Sequence, residues 1–236
     1  ITILISVTMS VYGTFLENNS KILAMMSILP EGVLQFKGIS NIDDLFSVLG
    51  FYTANNVIYM IVLGSIYAIV LSSNILLKEE YHKTAEYLLT WPLTRSEVIF
   101  SKAAVVFLNV VALNIITALA GFISMEIVQR EPYSVNAFLI LSLYTLLLNL
   151  LFGAVGLFMS TLVKRSKPIT TLSIGLVLIL YFTYTLSKIT DSLSKIGYIS
   201  PFKYVNLDTL NPGYGLEFRN IIYFTALSLL LILLSY

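Results

Sequence analysis

Three side chains able to do chemistry lie close together in the chain: Glu79, Glu80 and His82. Carboxylates and imidazole bind metal ions and act as general acids and bases, so one hypothesis is a membrane-embedded hydrolase that uses these residues. Such a site needs further histidines or carboxylates, whereas the chain has 1 His and almost no acidic residue inside its apolar runs. The absence of cysteine excludes disulfides and thiolate sites. We therefore expect no metal centre and no catalytic residue.

The same residues belong to the most densely charged segment, residues 78–102, which separates two long apolar runs. Pro92 removes a backbone donor and disfavours helix before it, so a helix that begins near Glu79 ends there. Thr94 followed by Glu97 forms a capping box, which predicts a second helix immediately afterwards. The order is a membrane helix, a short amphipathic helix, a sharp corner and the next membrane helix. A surface helix of this kind either docks another protein or has no further role.

Composition places the chain in lipid. Hydrophobic residues make up 57% and charged residues 11%, against roughly 45–50% and about 25% in soluble domains. The 236 residues accommodate six helical spans of about 20 residues with their connections. We predict an all-α integral membrane protein in which residues 1–236 form one domain with incomplete first and last spans. The predicted spans are Ile1–Phe15, Thr53–Leu77, Ala103–Met125, Ala137–Val163, Pro168–Leu186 and Asn220–Tyr236.

The predicted connections differ in charge. Lys164, Arg165 and Lys167 crowd the turn after the fourth span, and residues 78–102 carry four further basic side chains. Because basic residues accumulate in short cytoplasmic connections, these two connections should face the cytoplasm. The opposing connections, 16–52 and 187–219, are then external, the latter with an interfacial or re-entrant structure. A helix-start signal at residues 41–44 predicts a surface-lying amphipathic helix around Leu45–Leu49.

Polar side chains inside the predicted spans include Asn109, Asn114 and Asn149. An amide in hydrocarbon must find a partner, so these residues either bond neighbouring helices or line a substrate pathway. The net charge of +1 excludes the strong basic field of nucleic-acid binding. The chain has no phosphate-binding Gly-rich loop with Lys-Ser or Lys-Thr, so it should not hydrolyse ATP itself.

At these residues the chain resembles the membrane subunits of ABC-2 type transporters. Their first cytoplasmic loop carries an acidic pair, a T-x-E-x-L-L step, a Pro, a small-residue-Arg step and a Lys. A second motif, S-P-F-x-Y, often precedes their last span. One departure is His82-Lys83 before Thr84, where the family commonly has Gly. The matching positions are Glu79-Glu80, Thr84 to Leu89, Pro92, Thr94-Arg95-Ser96, Lys102 and Ser200 to Tyr204.

The resemblance implies a type V exporter-like architecture with a cytoplasmic coupling helix between the second and third spans. It implies two ABC ATPase subunits that bind ATP and Mg, a second permease subunit, and export of a peptide, lipid or drug across a bacterial cytoplasmic membrane. Ser200, Pro201 and Phe202 would form an external gate. A non-catalytic scaffold or sensor is a further alternative. The ATPase-coupling residues would be Glu79, Glu80, Lys83, Thr84, Glu86, Tyr87, Leu88, Pro92 and Arg95.

Overall fold

A computed structural model describes residues 1–26, 45–81, 95–162, 166–189, 193–211 and 213–235. In these ranges the secondary structure is helical, and no strand occurs. Short 3-10 helices cover Ile196–Ile199 and Pro201–Tyr204, and a π-helix covers Tyr59–Leu63. The α-helices are α1 (Thr2–Ser10), α2 (Tyr12–Glu17), α3 (Asn19–Met26), α4 (Val48–Asn55), α5 (Gly64–Tyr81), α6 (Arg95–Val128), α7 (Val135–Leu162), α8 (Ser166–Ile189) and α9 (Phe218–Leu234).

Apolar length identifies the helices that can cross a membrane. Among the described residues, 4 stretches are long and apolar enough: Val48–Ile75, Glu97–Val128, Val135–Leu162 and Ile169–Ile189. They coincide with the second to fifth predicted spans. Shorter apolar helices, Thr2–Glu17 and Phe218–Leu234, lie where the first and sixth spans were expected. The regular secondary structure of the described residues is thus all helical, and the four apolar stretches support an integral membrane protein.

The first long stretch begins earlier than its apolar pattern indicates. Ser47 is the N-cap of α4, and its side chain accepts a hydrogen bond of 3.1 Å from the amide of Gly50. The helix therefore starts at Val48 rather than at Thr53. The prediction of a separate surface-lying helix around Leu45–Leu49 is wrong, because Val48 and Leu49 form the buried first turn of α4.

Close packing divides the described chain into two units. Unit 1 comprises Ile1–Leu63, Asn114–Thr145 and Leu180–Leu216. Its core is aromatic: the Tyr52 and Phe138 ring centroids lie 5.6 Å apart, edge to face. A Cβ atom on Gly121 would lie 2.9 Å from a Tyr52 ring carbon. Glycine at this position therefore lets α6 approach the Tyr52 ring within unit 1.

Unit 2 comprises Gly64–Leu113, Leu146–Ile179 and Glu217–Tyr236. Here α5 and α7 approach each other closely at Gly156, where a Cβ atom would lie 2.5 Å from the Ile69 carbonyl oxygen. A Cβ atom on Gly153 would lie 3.2 Å from Val106 of α6. Small residues allow membrane helices to make such contacts. Glycine at these two positions therefore lets α7 pack closely against α5 and α6 within unit 2.

Candidate functional site

The predicted coupling segment lies between two described helices. Helix α5 continues without a break to Tyr81, so Glu79 and Glu80 occupy its last turn rather than the start of a new helix. Helix α6 begins at Arg95, directly after the Thr94 position expected to cap it. The coupling helix between them stays a prediction, since the remaining coupling residues lie outside the described ranges: Lys83, Thr84, Glu86, Tyr87, Leu88 and Pro92.

The hydrolase hypothesis stays untested for the same reason. The side chains of Glu79 and Glu80, and the whole of His82, fall outside what the structure describes. Within the described ranges, no group of three or more His, Cys, Asp or Glu side chains could hold a metal ion.

Helix α5 carries a row of polar side chains that bond to α8 within unit 2. The amide nitrogen of Asn74 donates to Thr170 Oγ1 at 3.1 Å, and the Thr170 hydroxyl donates back to Asn74 Oδ1 at 3.3 Å. One turn away, Ser173 Oγ donates to Ser73 Oγ at 3.2 Å, and both side chains are buried. These bonds join the end of α5 that leads into the coupling segment to the first turns of α8.

A further polar contact joins α5 to α7. Ser65 Oγ donates to Asn149 Oδ1 at 3.2 Å, and both residues are buried. A Cβ atom on Gly64 would lie 2.6 Å from Asn149 Nδ2, so glycine leaves room for this amide. We call the six bonded residues the polar seam: Ser65, Ser73, Asn74, Asn149, Thr170 and Ser173.

The polar seam holds α5 against both neighbours. In a membrane each hydrogen bond of this kind contributes about 0.6 kcal/mol on average, because the separated helices also find partners. The seam also fixes the relative positions of the helices, because its donors and acceptors match in only one register. Helix α5 is therefore bonded to both α7 and α8 through the seam. The seam has no titratable side chain and therefore offers no general acid or base.

The three amides predicted to line a pathway differ in environment. Asn149 bonds another helix, as the helix-bonding interpretation expects. Asn109 is exposed and donates to the Val105 carbonyl of its own helix at 2.8 Å. Asn114 is buried, and its backbone carbonyl accepts a hydrogen bond from the Thr117 hydroxyl. Their role in a substrate pathway stays a prediction.

The predicted external gate is firmly packed in unit 1. Ser200 Oγ donates to the Leu180 carbonyl of α8 at 2.8 Å, and Pro201 begins the 3-10 helix that follows. The Phe202 ring is buried, with its centroid 5.5 Å from that of Tyr181 in an edge-to-face arrangement. The motif thus anchors the segment before α9 to α8. Its gating role stays a prediction.

One buried polar residue, Asn56, is not among those predicted from the sequence. Its side chain is fully buried at the end of α4, and neither its Nδ2 nor its Oδ1 has a hydrogen-bond partner in the described structure. It is followed by the π-helix Tyr59–Leu63, a form that recurs at functional sites. The sequence does show Asn56 as an amide within an apolar run. Its lack of a hydrogen-bond partner depends on three-dimensional packing, which the sequence does not show.

Comparison with known proteins identifies the family. Neither a curated protein nor a solved structure matched the chain. A family model described as "ABC-2 family transporter protein" matches residues 2–236, which is nearly the whole chain. This agrees with the apolar helices and with the loop motif between α5 and α6. The chain therefore belongs to the ABC-2 family of transporter proteins, as a membrane-spanning permease.

Proposed function

We propose that this permease is the translocation subunit of an ATP-driven exporter. It works with two cytoplasmic ATPase subunits and with a second permease, either another copy or a sister subunit. The family match supports this assignment. The observation that carries it is the continuity of α5, which runs from the polar seam to the acidic pair at the entrance of the coupling segment.

The mechanism follows from that continuity. When the ATPase subunits close on ATP, they press on the coupling helix around Glu80–Leu89. A helix is stiff along its axis, so the end of α5 and the start of α6 move as packed elements. The bonds from Asn74 and Ser73 carry the displacement of α5 to α8, and the bond from Ser65 carries it to α7.

The other roles complete the proposal. The partner ATPase binds ATP and Mg, and the permease binds neither. Asn109, Asn114 and Asn149 contribute to the substrate route, and the packed segment Ser200–Phe202 shapes the external exit. The substrate is hydrophobic or amphipathic, such as a peptide, a lipid or a drug. The complex lies in a bacterial cytoplasmic membrane.

Co-purification with the ATPase tests the proposal. The test variant carries Glu80→Ala, Glu86→Ala and Arg95→Ala. The matched control carries Glu17→Ala, Glu217→Ala and Lys195→Ala, which removes the same number of acidic and basic charges at exposed positions outside residues 78–102. We expect wild type and control to retain the ATPase and the test variant to lose it, with all three equally stable in detergent.

Two other outcomes would reject the proposal. Equal ATPase binding by all three proteins places the docking surface elsewhere. If no ATPase co-purifies with the wild type, the hydrolase and scaffold hypotheses replace it. A chelator-sensitive activity lost in Glu80→Gln would then favour the hydrolase, and the absence of any such activity would favour the scaffold or sensor.

A further inference from the structure

Unit 1 contains a cavity of about 750 Å³. This volume lies within the range of about 300–1,000 Å³ typical of small-molecule sites. Its walls come from α2, the start of α4, the link between α6 and α7, and the segment before α9. The polar and aromatic residues of the wall include Tyr12, Arg130, Glu131, Tyr133, Asn211 and Tyr214.

Hydrogen bonds fix the three tyrosine rings in the wall. The Tyr12 hydroxyl donates to the Phe46 carbonyl at 2.6 Å, and the Tyr214 hydroxyl donates to the Asn206 carbonyl at 3.0 Å. The Tyr133 hydroxyl donates to Glu126 Oε1 at 2.9 Å. Because these bonds hold the rings before a ligand arrives, binding requires little further ordering.

The phenols in the connections stay neutral at physiological pH. Burial, together with the hydrogen bond to Glu126, raises the pKa of Tyr133 to about 12. Burial also raises the pKa of Tyr214, with a smaller contribution from the charge of Asp208. The two hydroxyls therefore remain protonated donors, and the rings stay in place.

Among the described residues, the charged groups in and beside the cavity are mainly carboxylates. Arg130 lines it, but its Nη2 atom lies 3.9 Å from Glu17 Oε1, so its charge is partly offset. Glu131 also lines the cavity and makes no ion pair with the residues that the structure describes. Asp208 adds a further carboxylate beside the wall residue Asn211, whose amide lies 3.5 Å from it.

We propose that this cavity binds an organic ammonium ion. Tyrosine rings attract cations through the negative potential of their faces, and a nearby carboxylate adds to that attraction. The remaining volume accommodates apolar or polar substituents of the amine. This inference goes beyond the proposed function, because it requires neither an ATPase partner nor transport.

Ligand-observed NMR on the full chain in lipid nanodiscs tests this binding. The probe is choline, the comparison is its neutral isostere 3,3-dimethylbutan-1-ol, and phosphate represents anions. We expect binding of choline to the wild type, with the alcohol and phosphate at the level of empty nanodiscs. Equal binding of choline and the alcohol would overturn the proposal, as would preferential binding of phosphate.

Variants then locate the site. We expect Glu131→Gln to raise the Kd of choline about fivefold. This factor is the upper end of what the loss of one exposed ion pair costs in binding. Tyr133→Leu should raise it by a similar factor of about five, while Tyr133→Phe, which keeps the ring, should stay within about twofold. Arg130→Gln should tighten binding, because it removes the positive charge. Choline binding that none of these changes alters would place the site elsewhere and overturn the proposal.

Discussion

At the scale of single residues, Asn56 stands out because neither polar atom of its side-chain amide has a hydrogen-bond partner in the described structure. A buried polar group without a partner costs about 1–3 kcal/mol. Natural proteins keep few such groups, and those they keep are found at functional or strained positions. Asn56 lies between the end of α4 at Asn55 and the start of the π-helix at Tyr59.

We predict that Asn56→Leu raises the free energy of unfolding by about 1–3 kcal/mol, because it replaces an unsatisfied amide with an apolar side chain of similar size. The matched control is Asn149→Leu, which removes an amide that accepts a bond from Ser65. The control should lower stability. Thermal unfolding midpoints in nanodiscs provide the measurement. A fall in the midpoint for Asn56→Leu comparable to the control would show that the amide has a partner.

At the scale of elements, the contact between α5 and α7 depends on Gly156, which has no side chain. A methyl group on Gly156 would meet Ser72 Oγ and the Ile69 carbonyl oxygen. Backbone atoms cannot move aside as a flexible side chain can, so the two helices would have to separate. Gly175 of α8 offers a control, because a Cβ atom there would have no atom outside its own helix within 4 Å among the described residues.

We predict that Gly156→Ala destabilises the protein by about 1–3 kcal/mol, the usual cost of overpacking. Gly175→Ala should leave stability unchanged or raise it by up to about 1 kcal/mol, because alanine favours helix more than glycine. Unfolding midpoints of the two variants measured side by side test this. If the two substitutions have the same effect, the close approach of α5 and α7 does not exist.

The polar seam makes a second prediction about elements. A double-mutant cycle with Asn74→Leu and Thr170→Val should give a coupling energy of about 0.6 kcal/mol, the average for hydrogen bonds between membrane helices. The control cycle pairs Asn109→Leu with Thr170→Val. Asn109 suits this purpose because its described hydrogen bond goes to its own helix. The control cycle should give no coupling. Additive effects in the first cycle would contradict the seam.

The helices that form the seam could be predicted from the sequence, but the side-chain pairs between them could not. Apolar length was enough to locate the long helices, because a bilayer imposes a nearly fixed length on any helix that crosses it. Apolar length could not predict that Asn149 bonds to Ser65 or that Asn74 bonds to Thr170. Those pairs depend on the rotation of each helix about its axis, and an almost uniformly apolar helix gives little sign of that rotation.

At the scale of the whole molecule, the family and the helical architecture could be inferred from local motifs and composition, and the match over residues 2–236 agrees with both. The cavity in unit 1 could not be inferred. Its walls come from Tyr12, Glu131 and Tyr214, which are far apart in the sequence, and its charge depends on which neighbours offset Arg130.

We propose that residues 78–102 dock an ATPase on the cytoplasmic side, and site-directed cross-linking can detect that contact. The sequence contains no cysteine, so Glu86→Cys and Lys195→Cys each introduce one reactive thiol for a short thiol-to-amine cross-linker. We predict that Glu86→Cys becomes linked to the co-purifying ATPase and that Lys195→Cys, on the opposing connection, does not. Linking at Lys195→Cys without linking at Glu86→Cys would contradict both the docking site and the orientation.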